Sequence, residues 1–320
     1  MGPLTENKIV LITRRTRLDE LVARFNTVSQ ARFYVEHLGA DFSDYLKEHE
    51  TYLAAVAQAE SILKEQGRLQ TLDRSFLTNF MFGKSDTVVA IGQDGLVANT
   101  LKYLTGQYVI GVNPDPKRWD GVLLPFVAGE LAKIVPEVFE SRRPIKEVTM
   151  AQAILNNGQS LYAVNDLFIG VKSHTSARYR IRVGKNEEQH SSSGLIVSTG
   201  LGSTGWFKSL MAGAVEIAGK VSGTKVKMSI ETSFSWDSKY LYYTVREPFP
   251  SKTSAASLVF GKVTAKRPLE IMSLMAENGR IFSDGIESDF LEFNSGAQAK
   301  ITIADKVGHL VVLPPITPID

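Results

Sequence analysis

Cysteine is absent from this sequence of 320 residues. Its absence excludes disulfide bonds, catalysis by a thiolate and zinc sites of the cysteine type. The five histidines show no HxxxH or HExxH spacing. We therefore predict no structural metal site and no metal ligand among the side chains.

Long apolar runs are missing as well, because no segment approaches the roughly 20 residues that a membrane helix needs. The N-terminus goes directly into a strand-like run at residues 8–12, so we expect no signal peptide before it. Together these features predict a cytoplasmic protein with no membrane partner.

An excess of charge of one sign is also missing, since 36 basic residues stand against 34 acidic ones. A non-specific nucleic-acid binder usually shows a concentrated basic excess. We therefore expect no nucleic-acid partner. The short basic stretch with Arg178, Arg180 and Arg182 would place its three arginines on one face of a strand, as a solvated edge or an anion site.

Two glycine-rich turns are the most informative features present: Gly92-Gln93-Asp94-Gly95 and the segment from Thr199 to Gly205, TGLGSTG. Each follows a short apolar run and leads into a helix-like segment. Glycine allows positive φ and close approach of the main chain, and free N–H groups at a helix start attract anions. Asp94 adds a carboxylate, which suits proton abstraction or metal binding. Neither turn fits the GxxxxGK[ST] or GxGxxG pattern, so a generic phosphate-loop or dinucleotide fold is weakly supported.

The first 140 residues alternate between strand and helix patterns. We predict strands at 9–13, 87–91 and 108–112, and helices at 18–38, 41–65 and 95–104. This alternation predicts an α/β domain with a mostly parallel sheet over residues 1–144. Such sheets bind ligands at the carboxyl ends of their strands, where Asp94 falls.

Beyond Pro144 the pattern is mostly β. The predicted strands are 148–155, 160–169, 177–183, 195–198, 226–230, 240–245, 258–263, 269–274 and 300–303, with a hairpin turn at 156–158 and one helix at 203–219. We predict a β-rich, sandwich-like second domain over residues 145–296.

Asn165 and Asp166 stand in the middle of the apolar run LYAVNDLFI. Buried amide and carboxylate groups are costly without partners. Either the two groups are solvated at a strand end or bulge, or they bind a ligand. A carboxylate suits ribose hydroxyls, and an amide suits an adenine edge.

Five segments, taken in order, resemble the NAD kinase family. The first turn with Leu96, GQDGL, lies where that family has GGDGT, and Gly111-Val112-Asn113-Pro114 resembles its GVN segment. Val164-Asn165-Asp166 resembles the NE/D motif, Gly202-Ser203-Thr204-Gly205-Trp206 the GSTAY loop, and Ser283-Asp284-Gly285 the late DG element. The order and spacing match along nearly the whole chain. Four short stretches are most similar to the animal mitochondrial branch: 113–116, 176–179, 192–195 and 245–248.

The resemblance implies a two-domain phosphotransferase that uses ATP and Mg²⁺, the ion being held through the donor phosphates, to phosphorylate the 2′-hydroxyl of the adenosine ribose of NAD. It implies that Asp94 orients or deprotonates that hydroxyl and that Asn165 and Asp166 hold the acceptor. It also implies that residues 297–320 return to the N-terminal domain and that the protein is a homo-oligomer whose other partners are small-molecule nucleotides. The nucleotide-binding residues that it implies are Gly92, Gly95, Asn165, Asp166, Thr199, Gly202, Ser203, Thr204, Gly205 and Asp284.

Two departures from the family pattern bear on activity. Gln93 replaces a glycine, which is strained if that position needs positive φ, and Leu96 replaces a threonine that bonds phosphate or caps the helix. Two alternatives therefore stay open: a non-catalytic nucleotide-binding protein, or a related kinase acting on the hydroxyl of a sugar, nucleoside or lipid.

Overall fold

A parallel sheet with helices packed on it forms the first part of the chain, as predicted. The computed structural model of the protein describes residues 8–228 and 230–314. These residues form two units, one of 8–146 with 308–314 and the other of 147–307. The predicted domain limits after residues 144 and 296 remain predictions.

Four parallel strands build the sheet of the first unit, in the order β2-β1-β3-β4. They are β1 (Lys8–Thr13), β2 (Arg68–Asp73), β3 (Thr87–Ile91) and β4 (Tyr108–Val112). Both faces of β1 and β3 are buried, as the near-continuous apolar sequences of parallel strands require. The end of a later strand, β16 (Gln298–Val311), pairs in parallel with β4 through His309 and Leu310.

Five helices belong to this unit: α1 (Arg17–Phe25), α2 (Val28–His37), α3 (Phe42–Gln66), α4 (Asp94–Lys102) and α5 (Leu131–Phe139). The single helix predicted over 18–38 is wrong, because α1 ends where Asn26 turns to a φ of 66° and Thr27 then caps α2. An asparagine tolerates this left-handed conformation better than most residues do.

Two antiparallel sheets build the second unit, which confirms the β-rich prediction. One contains β5 (Ile145–Leu155), β6 (Ser160–Ala163), β8 (Ala177–Val183), β9 (Asn186–Ser192), β13 (Leu269–Ser273) and the first part of β16. The other has the order β12-β11-β10-β7-β14-β15. Its strands are β7 (Asp166–Val171), β10 (Leu195–Ser198), β11 (Leu241–Val245), β12 (Phe260–Val263), β14 (Gly279–Ser283) and β15 (Ile286–Glu292).

The core of this unit contains residues from both sheets, including Tyr179, Ile181, Ile169, Val197 and Tyr243. Strand β8 alternates between buried and exposed residues, so its three arginines share one exposed face. Arg180 and Arg182 form ion pairs there with Glu187 and Glu270. That face is therefore a solvated, charge-paired surface.

Two predicted elements of the second unit are corrected. The strand predicted over 160–169 is two strands, β6 and β7, separated at Val164 and Asn165. Residues 226–228 form no strand, and Ser229 lies outside the described residues. The predicted helix at 203–219 begins later, as α6 (Trp206–Ser222), after a short 3₁₀ helix at Gly202–Thr204. No helix in the described part of the chain is long and apolar enough to cross a membrane.

Candidate functional site

Strands β10 and β14 end where the strand between them, β7, begins, and this brings the predicted residues together at one end of these strands. Strand β10 pairs with β7 so that Ser198 lies opposite Asp166, and β14 pairs with β7 so that Ser283 lies opposite Leu167. The chain segments beyond Ser198 and Ser283, and the segment before Asp166, therefore meet. We call the group Asn165, Asp166, Thr199, Gly202 and Asp284 the Asp166 site.

Asp284 fixes the break between β6 and β7. Its carboxylate accepts hydrogen bonds from the N–H groups of Val164 (3.0 and 3.1 Å), Asn165 (2.6 Å) and Asp166 (3.3 Å). Its own N–H donates to the Asp166 carbonyl at 3.0 Å. To do so it adopts a φ of 55°, in the left-handed region that an aspartate tolerates. Asp284 therefore positions the two residues predicted to bind the acceptor.

The glycine-rich loop is held against the same segment by its main chain. The Thr199 hydroxyl donates to the Val164 carbonyl at 2.5 Å and accepts from the Gly202 N–H at 3.1 Å. A Cβ atom on Gly202 would lie 2.1 Å from the Asn165 carbonyl oxygen, and one on Gly200 would lie 1.9 Å from the Ser235 carbonyl oxygen. None of the motif glycines at 92, 95, 200, 202 and 205 has a positive φ. Close approach, and not unusual φ, is what requires glycine at 200 and 202.

The hydroxyls of this loop divide into internal and exposed groups. Ser203 is fully buried, and its hydroxyl donates to the Gly200 carbonyl at 2.6 Å and accepts from the Phe234 N–H at 3.3 Å. Thr204 and Gly205 are exposed. Thr199 and Ser203 therefore shape the loop, while Thr204 and the main chain around Gly205 face solvent.

The two helices that follow the glycine turns begin without a side-chain cap. Helices α1, α2 and α3 have Thr16, Thr27 and Asp41 as N-caps whose side chains accept a main-chain hydrogen bond. Gln93 before α4 and Gly205 before α6 make no such bond. The first N–H groups of α4 and α6 therefore lack this internal partner, which is the arrangement that binds anions in many nucleotide sites.

The side chains of Asn165 and Asp166 have no hydrogen-bond or ion-pair partner among the described residues, and both are half-buried. Burial, and secondarily the negative charge of Asp284, raises the pKa of Asp166 to about 7. At neutral pH this carboxyl is therefore close to half protonated, so it can both donate to and accept from a hydroxyl group. An amide and such a carboxyl, side by side and free, are suited to a polar ligand.

An aromatic surface adjoins the Asp166 site. Phe168 shares the face of β7 with Asp166, and the Trp206 ring stacks on it with a centroid distance of 5.7 Å. Phe168 lies over Gly170 and Gly194, where a Cβ atom would meet its ring at 2.7 and 2.8 Å. The Arg246 guanidinium is 5.3 Å from the Trp206 ring centroid. Trp206 and Arg246 lie in two of the segments that resemble the NAD kinases, whereas Phe168 lies in none of them, and the contacts among these three side chains were not predicted.

The first glycine turn, in the other unit, positions Asp94 at the start of α4. The Leu123 N–H donates to Asp94 Oδ1 at 2.8 Å, and the Gly92 N–H donates to the Val112 carbonyl at 3.1 Å. Gly95 is exposed, and a Cβ atom there would meet nothing within 4 Å. One carboxylate oxygen of Asp94 is thus anchored, while Oδ2 has no partner in the described residues.

Gln93 is not strained, because its φ of −117° and ψ of 162° are ordinary extended values. Leu96 is buried, and its Cδ2 atom would lie 2.9 Å from a Cβ atom on Gly92. The leucine therefore closes the turn by apolar packing at the position where the family pattern has a hydroxyl.

Arg14 borders this turn and belongs to a chain of ion pairs. Arg14 lies beside Gly92 and forms an ion pair with Glu48 at 3.0 Å. Arg17 and Arg118 both pair with Asp44, and their hydrogen bonds, that of Arg118 first, hold the pKa of Asp44 well below its usual range. The carboxylates of Glu48 and Asp44 thus join Arg14, Arg17 and Arg118 into one ion-pair network, and Arg15 is exposed beside it.

No protein-family model matches this sequence, and no curated protein does. Solved structures match its fold over nearly the whole chain. One is an NAD kinase from Archaeoglobus fulgidus in complex with ATP, which is 13% identical with a TM-score of 0.53, covering 95% of this chain and 93% of that one. Another is yeast NADH kinase complexed with NADH, which is 16% identical with a TM-score of 0.56, covering 97% and 85%. The fold is that of the NAD kinases, a parallel sheet with helices followed by an antiparallel β unit.

Proposed function

We propose that this protein is a phosphotransferase that moves a phosphoryl group from ATP to the 2′-hydroxyl of the adenosine ribose of NAD, yielding NADP. The observation that carries the proposal is the pair of free polar side chains, Asn165 and Asp166, held by Asp284 beside a glycine loop and an uncapped helix start. The fold shared with NAD and NADH kinases supports it.

In this proposal each residue has one task. Asn165 and Asp166 hold the base edge and ribose of the acceptor, and Trp206 supplies a ring surface for stacking. The exposed main chain around Thr204 and Gly205 contacts phosphate oxygens. Asp94, anchored through Oδ1 by the Leu123 N–H, presents Oδ2 to the reacting hydroxyl.

The reaction balances with these groups. The Asp94 carboxylate takes the proton of the ribose hydroxyl while that oxygen forms a bond to the γ-phosphorus of ATP. The bond between that phosphorus and the bridging oxygen breaks, and ADP leaves with the electron pair. The protein mainly positions the reactants and stabilises charge.

Mg²⁺ enters the proposal through the donor phosphates. In the described residues no three His, Asp or Glu side chains lie close enough to hold a metal ion by themselves. A magnesium ion that is bound through the donor phosphates needs only one or two carboxylates from the protein. A protein without a three-carboxylate cluster therefore still fits such an ion. Its chemistry when bound is to offset negative charge on the transferred group.

The direct test is to incubate the pure protein with ATP, Mg²⁺ and NAD and to measure NADP with an NADP-specific dehydrogenase. We expect NADP to form in wild type. We also expect it in the control variant Asp120→Asn, which removes an exposed carboxylate from the unit that contains Asp94. Polyphosphate as donor, and NADH, sugars, nucleosides and lipids as acceptors, are the comparison arms. If ADP forms with one of the other acceptors and not with NAD, that acceptor takes the place of NAD in the proposal.

A non-catalytic NAD-binding protein is the second candidate, and the burial of Leu96 at the first turn favours it. Calorimetric titration with NAD separates the two. Binding without NADP formation supports the second candidate, and the absence of both contradicts both.

Three further expectations from the sequence belong to the same proposal. They are the cytoplasmic location, the homo-oligomeric state and the affinity with the animal mitochondrial branch of NAD kinases. The first rests on composition, and the other two rest on the resemblance in sequence.

A further inference from the structure

Arg246 is a half-buried arginine whose side chain has no anionic partner among the described residues. It directly follows strand β11, and its main-chain N–H donates to the Gly194 carbonyl at 2.8 Å. Its guanidinium is 5.3 Å from the ring centroid of Trp206 and 5.8 Å from that of Phe168. Arg246 is therefore fixed beside the two rings that adjoin the Asp166 site.

Arg280 gives a contrast within the same sheet. The arginines of residues 147–307 are exposed except for Arg246 and Arg280, which are half-buried. Arg280 lies over the Phe290 ring at 4.5 Å and forms an ion pair with Glu292 at 3.1 Å. Arg246 has no ion pair and no side-chain hydrogen bond in the described part of the chain. A positive charge that is partly removed from water is costly without an anion beside it.

Two carboxylates lie near Arg246 in the chain or in the sheet, and neither neutralises it. Glu247 follows it directly, but it is exposed and forms no ion pair among the described residues. Asp166 precedes Phe168 by two residues on the same face of β7, roughly 7 Å along the strand. Burial raises the pKa of the Asp166 carboxyl to about 7, so it is only partly charged at neutral pH.

The other charges near Arg246 are positive. Trp206 begins helix α6, whose first N–H groups have no side-chain cap, and Lys208 lies in the first turn of that helix. A guanidinium that lies over a ring keeps the N–H groups in its own plane free, and these match two oxygens of one phosphate or carboxylate. The surroundings of Arg246 therefore favour an anion from a ligand.

We propose that Arg246 binds a phosphate of the acceptor, so that the site selects 5′-phosphorylated nucleosides over free nucleosides and sugars. This inference rests on the proposed function, because it takes the Asp166 site as the acceptor site. Each part of a nucleotide has a counterpart there: the rings of Trp206 and Phe168 for the base, the Asp166 carboxyl for the ribose and the Arg246 guanidinium for the phosphate.

Calorimetric titration of the whole protein with AMP and with adenosine tests the proposal. We expect wild type to bind AMP about 10–100-fold more tightly than adenosine, as charge-assisted hydrogen bonds to a phosphate provide. In Arg246→Gln this ratio should fall at least about 10-fold, while the affinity for adenosine changes little. Arg280→Gln is the matched control, because it removes the same charge from another arginine that lies over a ring, and it should keep the wild-type ratio.

Two further measurements separate binding from a structural role. Arg246→Lys keeps the charge but loses the planar fork, so its ratio should lie between those of wild type and Arg246→Gln. Raising the salt concentration from about 0.05 M to about 0.5 M should weaken AMP binding more in wild type than in Arg246→Gln. Asp166→Ala should weaken the binding of both ligands, which assigns the titration to the Asp166 site and not to a donor site.

Four results would overturn the proposal. Wild type could bind AMP no better than adenosine, or Arg246→Gln could keep the wild-type ratio. Arg280→Gln could lower the ratio as much as Arg246→Gln does. Ribose 5-phosphate could bind as tightly as AMP, which would make the ligand a sugar phosphate.

NADP formation, measured on the same preparations, separates this proposal from the proposed function. If wild type forms NADP while Arg246→Gln keeps the ratio, the role of Arg246 is wrong and the proposed function stands. If no NADP forms while the ratio falls in Arg246→Gln alone, the phosphate site stands and belongs to a non-catalytic nucleotide-binding protein.

Discussion

The two glycine-rich turns look alike in sequence, yet they are held in different ways. The turn at Gly92 is closed by side chains: Leu96 packs over it, Arg14 lies beside it, and Asp94 accepts from the Leu123 N–H. The loop from Thr199 to Gly205 is closed by main chain, with Gly200 and Gly202 pressed against carbonyl oxygens of Ser235 and Asn165.

The difference shows that two turns with similar sequences can be held in place by different kinds of contact. A turn held by side chains tolerates altered residues, which is why Gln93 and Leu96 fit without strain. The loop held by main-chain contact tolerates no side chain at Gly200 or Gly202, because backbone atoms cannot rotate away from an added Cβ. The first and the last of the four predictions below test this contrast, and the other two test the carboxylates of Asp94 and Asp166.

Gly202→Ala and Gly95→Ala should have opposite effects on stability. The first places a Cβ atom 2.1 Å from the Asn165 carbonyl oxygen, so we expect a loss of about 3 kcal/mol or more in the free energy of unfolding, enough to prevent folding of a marginal domain. The second adds a helix-favouring methyl group in open space and should gain about 1 kcal/mol or less. Urea titration of both variants measures this, and equal midpoints would contradict the contrast.

Asp94→Asn should lower turnover by about 10²–10⁴-fold, the usual cost of losing a general base. The fold should persist, because the asparagine Oδ1 can still accept from the Leu123 N–H. Steady-state NADP formation is the measurement, with Asp120→Asn as the matched control. Turnover at the wild-type rate in Asp94→Asn would remove this residue from the mechanism.

Asp166→Asn should change how stability depends on pH. The pKa of Asp166 is raised to about 7, above the ordinary value of 3.8 that holds in the unfolded chain. The folded form therefore retains a proton that the unfolded form loses, so this group's stabilisation is complete below about pH 4 and is lost as the pH rises to about 7.

The variant lacks this group, so its stability relative to wild type should increase as the pH rises across that window, by an amount on the order of 1 kcal/mol or more. Urea titrations at several pH values measure the difference between the two proteins. A difference that is constant with pH would mean that Asp166 titrates normally.

The double change Gln93→Gly with Leu96→Thr should have the smallest effect. Gln93 is already relaxed, and replacing the buried leucine removes apolar packing worth about 1–2 kcal/mol. We expect NADP formation to be similar or lower, with modestly reduced thermal stability. A strong gain of activity over a silent parent would instead support the non-catalytic candidate.

Sequence reasoning located the parallel strands well because their apolar runs are short and bounded by glycines. The strands predicted at 87–91 and 108–112 are β3 and β4 with the same limits. Hydrophobic periodicity also predicted most of the residues of helices α3 and α4. These elements bury both faces or one clear stripe, so local pattern and tertiary environment agree.

Elements whose cause lies far away in sequence were missed. The break between β6 and β7 depends on Asp284, about 120 residues later, so the apolar run at 160–169 gave no sign of it. Strand β9, with the polar sequence NEEQHSS, exists because β8 pairs with one edge and the N–H groups of Phe249 and Ala255 donate to the other. Motif matching found the polar residues of the Asp166 site, while the adjoining contacts of Phe168 and Arg246 with Trp206 required the fold.

Strand β16 gives the chain an order of assembly. Its first residues pair with β13 in the second unit, and His309 and Leu310 pair with β4 in the first. During synthesis on the ribosome, the N–H and C=O groups on the outer edge of β4 therefore have no partner strand until every residue of the second unit has been made. A prematurely terminated product that stops before Gln298 keeps this edge open, and open strand edges seed aggregation. Translation arrest inside the second unit thus harms a domain that was already synthesised.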